Sequence, residues 1–583
     1  MQTTVEESRL RRFLGSSLRT ESVIPYATTV LLLILIGLPV ATGFLMSLKV
    51  GLPGQVSPIT LSNYVQVLDD PGTLETIFNT ALFTIWTLVT TFAFSTPLVW
   101  LMNRTDLPFK GMFYVLLALG IVIPVFLKVM GWIMLVSPQI GILNVAARSV
   151  FGLQAPLFNV YSVPWMGFIQ GLSFAPMAFF MLSASYQAMD PSLEEAAFTS
   201  GMSKLTTLLR INLPISLPAI LAVLIYVTML AVAVFETPAL LGLPGRIFLL
   251  SSSIYFAVNP PSGLPSYGLA GAYGSILLVL ALAFGYLYSR VLRKGSKYVV
   301  ITGRGYRPKL LELGKWKGAA VCFVMLYFVL EFFLPLLALV WASLLPYFQV
   351  PSMTALSQIS LNNYAKIDTM STYEPFLNTA ILMLVVPTVT LFLSVVISWV
   401  IVRTQFRWRT LLDNLAFLPH ATPHILLAVA ISYLALVYRS VFPLYNTIWI
   451  IVLAHIISYI AYSTRTLNSS MIQVHRELEE AGTVAGMSGV GVLRHIVTPL
   501  VAPAVFNAWI WVMLLSYREV TMALILRGPG NTVISSLLWQ LWVMGELPIA
   551  AAMGTLIILF MIVLAVALRA MFARGTRFDR VGN

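Results

Sequence analysis

Charge is what this chain has least of. Only 10% of its 583 residues are Asp, Glu, Lys or Arg, against 58% hydrophobic residues, whereas a soluble protein carries roughly a quarter charged residues. That shortage excludes a soluble globular fold. Cysteine is nearly absent as well. The single Cys322 lies in an apolar run, which rules out a disulfide framework and a thiolate metal cluster. Short segments of alternating hydrophobicity are missing, so a membrane β-barrel is excluded. No Gly-x-x-x-x-Gly-Lys-Ser/Thr run occurs, and without that phosphate-cradling loop the chain does not hydrolyse nucleotide itself. A cleavable signal peptide is not evident either. Arg9, Arg11 and Arg12 precede an apolar segment from about Val23 to Leu48, which exceeds a signal core and reads as a first spanning helix.

What the chain has instead is a series of apolar runs, each long enough to cross a hydrocarbon layer of roughly 30 Å. Spans are expected near 24–47, 77–102, 111–136, 164–187, 214–237 and 268–290. A second set follows near 319–345, 377–402, 412–437, 445–464, 499–520 and 549–571. The reading is an all-α polytopic membrane protein with about twelve transmembrane helices. The formal charge of +13 sits in alternate loops, as the positive-inside rule requires and nucleic-acid binding does not. Both termini are thereby expected on the cytoplasmic side. The basic segment 291–318, rich in Gly and charge, reads as a cytoplasmic linker beside anionic lipid. It separates a first half, 1–290 with its core at about 75–290, from a second, 319–583 with its core at about 375–570.

The halves repeat each other. Leu61-Ser62-Asn63-Tyr64 recurs as Leu361-Asn362-Asn363-Tyr364, Asn79-Thr80-Ala81 as Asn378-Thr379-Ala380, Arg104-Thr105 as Arg403-Thr404, and Pro124 as Pro423. The offset is near 299 there and falls to 285 further on, so the first half carries an insertion of about 14 residues between about Val136 and Trp165. At the smaller offset Leu193-Glu194-Glu195-Ala196 matches Leu478-Glu479-Glu480-Ala481, Gly201-Met202-Ser203 matches Gly486-Met487-Ser488, and Pro214 matches Pro499. An even number of spans per half makes the repeats parallel. The best-matched stretch is a polar loop. Lipid solubility does not constrain such a loop, so its matching points to function.

In that loop Asp190 and Pro191 suit the start of a short helix. Glu194 and Glu195 fall in its first turns, where the helix dipole favours negative charge. Ala196 and Ala197 leave a flat face, Gly201 suits a left-handed helix end, Ser203 suits the cap of a second short helix, and Leu213-Pro214 suits the opening of the next span. The pattern Glu-Ala-Ala, three residues, Gly, nine residues, Ile-x-Leu-Pro resembles the EAA loop of binding-protein-dependent ABC importer permeases. The second copy keeps the spacing through Glu479, Glu480, Ala481, Gly482, Gly486, Thr498 and Pro499, and departs at Gly482, Thr498 and His475-Arg476. The linker Ile301 to Pro308, Phe235 to Ala239 and Tyr517 to Thr521 are similar to those of the fused ferric-iron permease branch. The resemblance implies a type I ABC importer permease fold in a bacterial inner membrane and coupling of each loop to an ATP-binding subunit. It also implies two copies of that subunit, which bind ATP and Mg, and an extracytoplasmic solute-binding protein. Ferric iron is the cargo it suggests, with phosphonate, sugar-phosphate, polyamine and thiamine importers in the same branch. No cofactor is expected on this chain.

Glu236 and Glu519 occupy corresponding places about 20 residues beyond the prolines, or roughly 30 Å at the helical rise. They line an outer mouth of the pathway or serve as structural helix-end charges; the sequence leaves both open. Apolar segments Ile247 to Val258 and Val533 to Met544, too short to span, follow them with matched Ser251-Ser252 and Ser535-Ser536. His420 and His424 have the i, i+4 spacing of a metal pair, yet their counterparts Ile121 and Val125 bind none, and helix-end packing is expected. Lys128 is expected to snorkel to the outer surface. No catalytic residue and no metal site is predicted. The competing class is an ion-gradient-driven secondary transporter. Its loop signature between the second and third spans is absent from Asn103-Arg104-Thr105-Asp106.

Overall fold

The computed structural model describes residues 23–188, 191–295, 310–369 and 373–581, in helices joined by short turns. Among the described residues, ten helices are long and apolar enough to cross a membrane unbroken. In the first half these are α1 (Val23–Leu48), α2 (Pro71–Arg104), α6 (Val163–Gln187), α8 (Leu208–Ala233) and α10 (Tyr267–Val291). In the second they are α11 (Gly314–Ser343), α12 (Tyr373–Arg403), α15 (Ile448–Gln473), α17 (Gly489–Arg518) and α19 (Leu547–Leu564). The two remaining expected spans are not single helices. The first, 111–136, consists of α3 (Lys110–Val122) and α4 (Val125–Val136), bent by 95°; the second, 412–437, consists of α13 (Arg409–Ala421) and α14 (His424–Val437), bent by 104°. Pro124 and Pro423 make both breaks. Each proline lacks an N–H and forces the preceding residue out of the α region; Ile123 and Thr422 accordingly sit at ψ 127° and 125°.

Prolines also act by widening the helical turn before them. Each of the five π-helical turns among the described residues ends two residues before a proline: Leu33–Gly37 before Pro39, Leu208–Asn212 before Pro214, Pro238–Gly242 before Pro244, Val329–Phe333 before Pro335 and Leu493–Val497 before Pro499. At four of them the residue just before the proline donates five residues back, as from Leu213 to the Leu208 carbonyl and from Thr498 to the Leu493 carbonyl. The widened turn absorbs the clash of the proline ring and its missing donor. Pro214 and Pro499 therefore do not open their spans, as the sequence suggested. Helix already runs from Lys204 and from Gly489, and the prolines lie a turn and more inside it.

Two compact units emerge, and each draws on both halves of the sequence. One gathers the described parts of 1–67, 254–278 and 373–536; the other those of 68–253, 279–372 and 537–583. In the former, α1 lies on α13 and α14 of the second half, with Leu32 and Ile36 in a core that includes Leu427 and Ile431. In the latter, α11 lies on α4 of the first half and on α19. A Cβ placed on Gly131 of α4 would sit 2.3 Å from the Pro335 carbonyl oxygen, so only glycine permits this approach. The first helix of each half is thus housed in the core of the other.

The repeated motifs turn out to be contact devices. Asn63 donates to the carbonyls of Ser47 (2.8 Å) and Lys49 (2.9 Å), and Asn363 to those of Ser343 (2.9 Å) and Leu345 (2.7 Å). Tyr64 and Tyr364 meet Ser47 and Ser343 at 2.7 Å. Both sets lock the end of a first helix. The insertion of the first half is α5 (Ile142–Phe151), held by buried Asn144, which donates to Val136, Ser137 and Phe158 carbonyls and accepts from the Phe158 N–H.

Candidate coupling loops and pathway residues

The first loop helix, α7, spans Pro191–Thr199; the second, α16, spans Arg476–Val484. Asp190, expected to cap α7, lies outside the described residues. His475 caps α16 without a side-chain hydrogen bond. Both helices end alike. Gly201 and Gly486 adopt φ of 82° and 85°, and the next N–H reaches back five residues, from Met202 to Ala197 and from Met487 to Gly482, at 3.0 Å. This is the left-handed stop that glycine allows without a Cβ clash. Ser203 and Ser488 then cap the following helix by accepting from Thr206 and Gly491 N–H groups, both at 3.2 Å.

The paired glutamates separate into two kinds. Glu194 turns inward, 3.6 Å from the Arg104 guanidinium and accepting from Asn212 Nδ2 at 2.8 Å. Glu479 does the same with Arg403 at 2.9 Å. Each arginine also donates to the end of the preceding span, Arg104 to the Tyr186 carbonyl and Arg403 to those of Met471 and Val474. A charge-assisted brace thus ties each loop helix to the end of α2 or α12. Glu195 and Ala196, with Glu480 and Ala481, face outward, while Ala197 and Gly482 are buried. At Gly482 a Cβ would fall 2.4 Å from Ile496 Cδ1, so Ile496 closes over the helix there. Leu213 and Thr498 are half-buried beside exposed Pro214 and Pro499. Sequence reasoning missed Arg104 and Arg403 as braces, although their recurrence in the repeat was the available signal.

The linker joins this region in the first half. Leu311 bridges Thr105 through bonds to the Arg104 carbonyl (2.9 Å) and from the Asp106 N–H (3.0 Å). Asp106 accepts from Leu313 N–H and pairs with Lys317, both at 2.8 Å. The Lys317 hydrogen bond, then that from Leu313, holds the Asp106 carboxyl below the usual carboxylate range. Ile301 to Pro308 lie outside the described residues.

Glu236 and Glu519 stand where α8 and α17 break at their far ends. Glu236 is half-exposed. Glu519 is buried, 3.6 Å from His424 Nδ1 and 3.7 Å from His455 Nε2, and accepts from the Met522 N–H at 2.8 Å. At position 170, which the 285 offset aligns with 455, the first half carries Gln170, which accepts from Thr237 at 2.6 Å. The short apolar helices that follow are α9 (Leu250–Val258) and α18 (Ile534–Val543). Their matched serines fold back onto the breaks, Ser251 donating to the Val234 carbonyl (2.6 Å) and Ser535 to that of Glu519 (2.8 Å). The Asn-Thr-Ala repeats hold their starts. Thr80 accepts from the Leu250 N–H at 3.0 Å and Thr379 from that of Ile534 at 2.9 Å. Asn378 donates to the Thr532 carbonyl at 2.9 Å.

One expectation fails here. Lys128 does not snorkel outward. It is 4% exposed, pairs with Glu331 of α11 and donates to the Gly120 carbonyl at 2.7 Å. His420 and His424 lie, as expected, at helix ends, one in the last turn of α13 and the other opening α14, on either side of the Pro423 break. No group of three candidate metal ligands exists among the described residues.

Among the described residues the body is built of helices without a named strand, and two loop helices of the same length recur at the 285-residue offset. Residues 391–578 match the family described as binding-protein-dependent transport system inner membrane component. The chain is accordingly a multi-pass inner-membrane permease, a non-enzymatic subunit resembling the ferric-iron transport branch. It is 23% identical to the Fe(3+)-transport system permease protein FbpB 2 of Haemophilus influenzae over 88% of this chain and 91% of that one. The ferric transport system permease protein FbpB of Actinobacillus pleuropneumoniae is 23% identical over 69% of this chain, which spans 57% of that protein. The putrescine transport system permease protein PotI of Escherichia coli (strain K12) is 31% identical over 19% of this chain and 39% of that protein.

Proposed function

We propose that this chain forms the translocation pathway of an ATP-driven importer, with α7 and α16 each docking on one copy of a separate ATPase subunit that binds ATP and Mg. The observation that carries this reading is the pair of equivalent loop helices. Each is braced from inside by Arg–Glu and turns the next glutamate and alanine outward, at Glu195-Ala196 and Glu480-Ala481. A braced helix with a small-residue face transmits a displacement to the spans; a loose turn does not. Closure of the ATPase pair moves both helices and switches the permease between inward- and outward-facing states. Both termini then lie in the cytoplasm, and an extracytoplasmic binding protein delivers cargo.

Ferric iron is the proposed cargo, on the strength of the ferric relatives and of carboxylates at Glu236 and Glu519, which suit a cation. The match to a putrescine permease supports a second reading, an organic cation in the same machinery. In vesicles holding the full transporter, E195R/E480R abolishes uptake and the stimulation of ATPase by loaded binding protein. Unchanged values for both sink the coupling assignment. Uptake that survives ATP depletion but collapses with an uncoupler favours a gradient-driven carrier instead.

A further inference from the structure

Lys128 and Glu331 form an ion pair, 4% and 2% exposed, between α4 of the first half and α11, the first helix of the second half. The repeat has no second copy of it. At the offset that aligns Pro124 with Pro423, Lys128 corresponds to Leu427. Aligning the π-turns and prolines of the two first helices, Pro39 with Pro335, sets Leu35 against Glu331. Leu35 packs on the core that contains fully buried Leu427. Two homologous slots therefore receive two homologous helices, one with Lys and Glu at the matched positions and the other with Leu at both.

We propose that Lys128 and Glu331 are the key that assigns each first helix to the opposite half. With α1 in the α4 slot, Lys128 would face Leu35 and no carboxylate. With α11 in the α14 slot, Glu331 would face Leu427 and no cation. A buried charge that loses its partner is strongly destabilised, whereas exchanging a whole buried pair for apolar side chains is often neutral. The pair thus adds a charge selection to the steric one set by Gly131, whose counterpart at the same offset is Ala430. Buried polar groups that fix register in coiled coils act by the same logic.

The test uses the full chain in its native membrane, with C322S as background. K128L and E331L singly are expected to lower the yield of folded protein by about tenfold or more, and K128L/E331L to restore it. Pairing is read with a short bismaleimide. L127C/L336C reports the observed arrangement, since Leu127 and Leu336 line one small cavity with Lys128. L127C/V40C reports the exchanged one, because Val40 corresponds to Leu336. With Lys128 and Glu331 intact, only 127–336 should cross-link; in K128L/E331L a 127–40 product should appear. A double variant that cross-links only 127–336 overturns the proposal. So do single variants that fold as well as the parent, or a double variant that folds no better than the singles.

Discussion

At the scale of single residues, Arg104 and Arg403 carry more than their charge. Each guanidinium touches a loop glutamate and a backbone carbonyl at the end of a span, a forked geometry that an ammonium does not reproduce. R104A leaves Glu194 buried, held by Asn212 but without its guanidinium; breaking such a pair costs about 3–5 kcal/mol. Thermal unfolding in detergent should show that loss. R104K should recover only part of it, because one ammonium serves both acceptors poorly. A melting temperature for R104A equal to that of the parent refutes the brace. Gly201 offers a second check. At φ of 82° an alanine costs roughly 1–2 kcal/mol, and G201A should fray α7 in hydrogen exchange while the interior of α6 stays protected.

Elements were legible in the sequence to different degrees. Apolar length located the spans, because a chain in lipid must satisfy its backbone internally and leaves helix as the one choice. Where the reading failed, proline decided the outcome. A residue pattern shows that Pro124 is present; it does not show whether a helix kinks, breaks by 95° or widens into a π-turn, since that depends on what packs against it. The site divides in the same way. Glycine stops and serine caps at Gly201, Gly486, Ser203 and Ser488 are local rules and could be read directly. The braces to Arg104 and Arg403 are contacts between residues 76 to 90 apart in the chain, invisible to spacing. His455 beside Glu519 was missed for the same reason, as it lies within a span with no local mark.

The linker strap yields a prediction at this scale. Asp106 binds Leu313 and Lys317 as a carboxylate, and its folded-state pKa is lowered. The strap is therefore fully supported above the ordinary Asp value of about 3.9 and weakens as pH falls through the lowered folded value. At neutral pH, D106A should speed amide exchange at Leu311 and Leu313 and leave α2 unchanged. Equal exchange at those amides in the variant and the parent dismisses the strap.

Across the whole molecule, the two halves share devices and differ in how they are set. Asn-Tyr locks, Asn-Thr clamps, proline breaks and Arg–Glu braces occur in both. The α5 insertion and the Lys128–Glu331 pair belong to the first-half core, and the His424–Glu519–His455 cluster to the second. If both loops transmit one motion, removing either brace disables the pair, and the effects cannot add. R104A and R403A should each cut ATP-dependent uptake by similar large factors, with the double variant little worse than the more damaging single one. Residues acting as a unit behave this way, whereas distant independent sites add. A double variant whose loss equals the product of the single losses shows instead that the loops work separately. Such a result leaves the braces intact as local structure and removes the concerted motion proposed for α7 and α16.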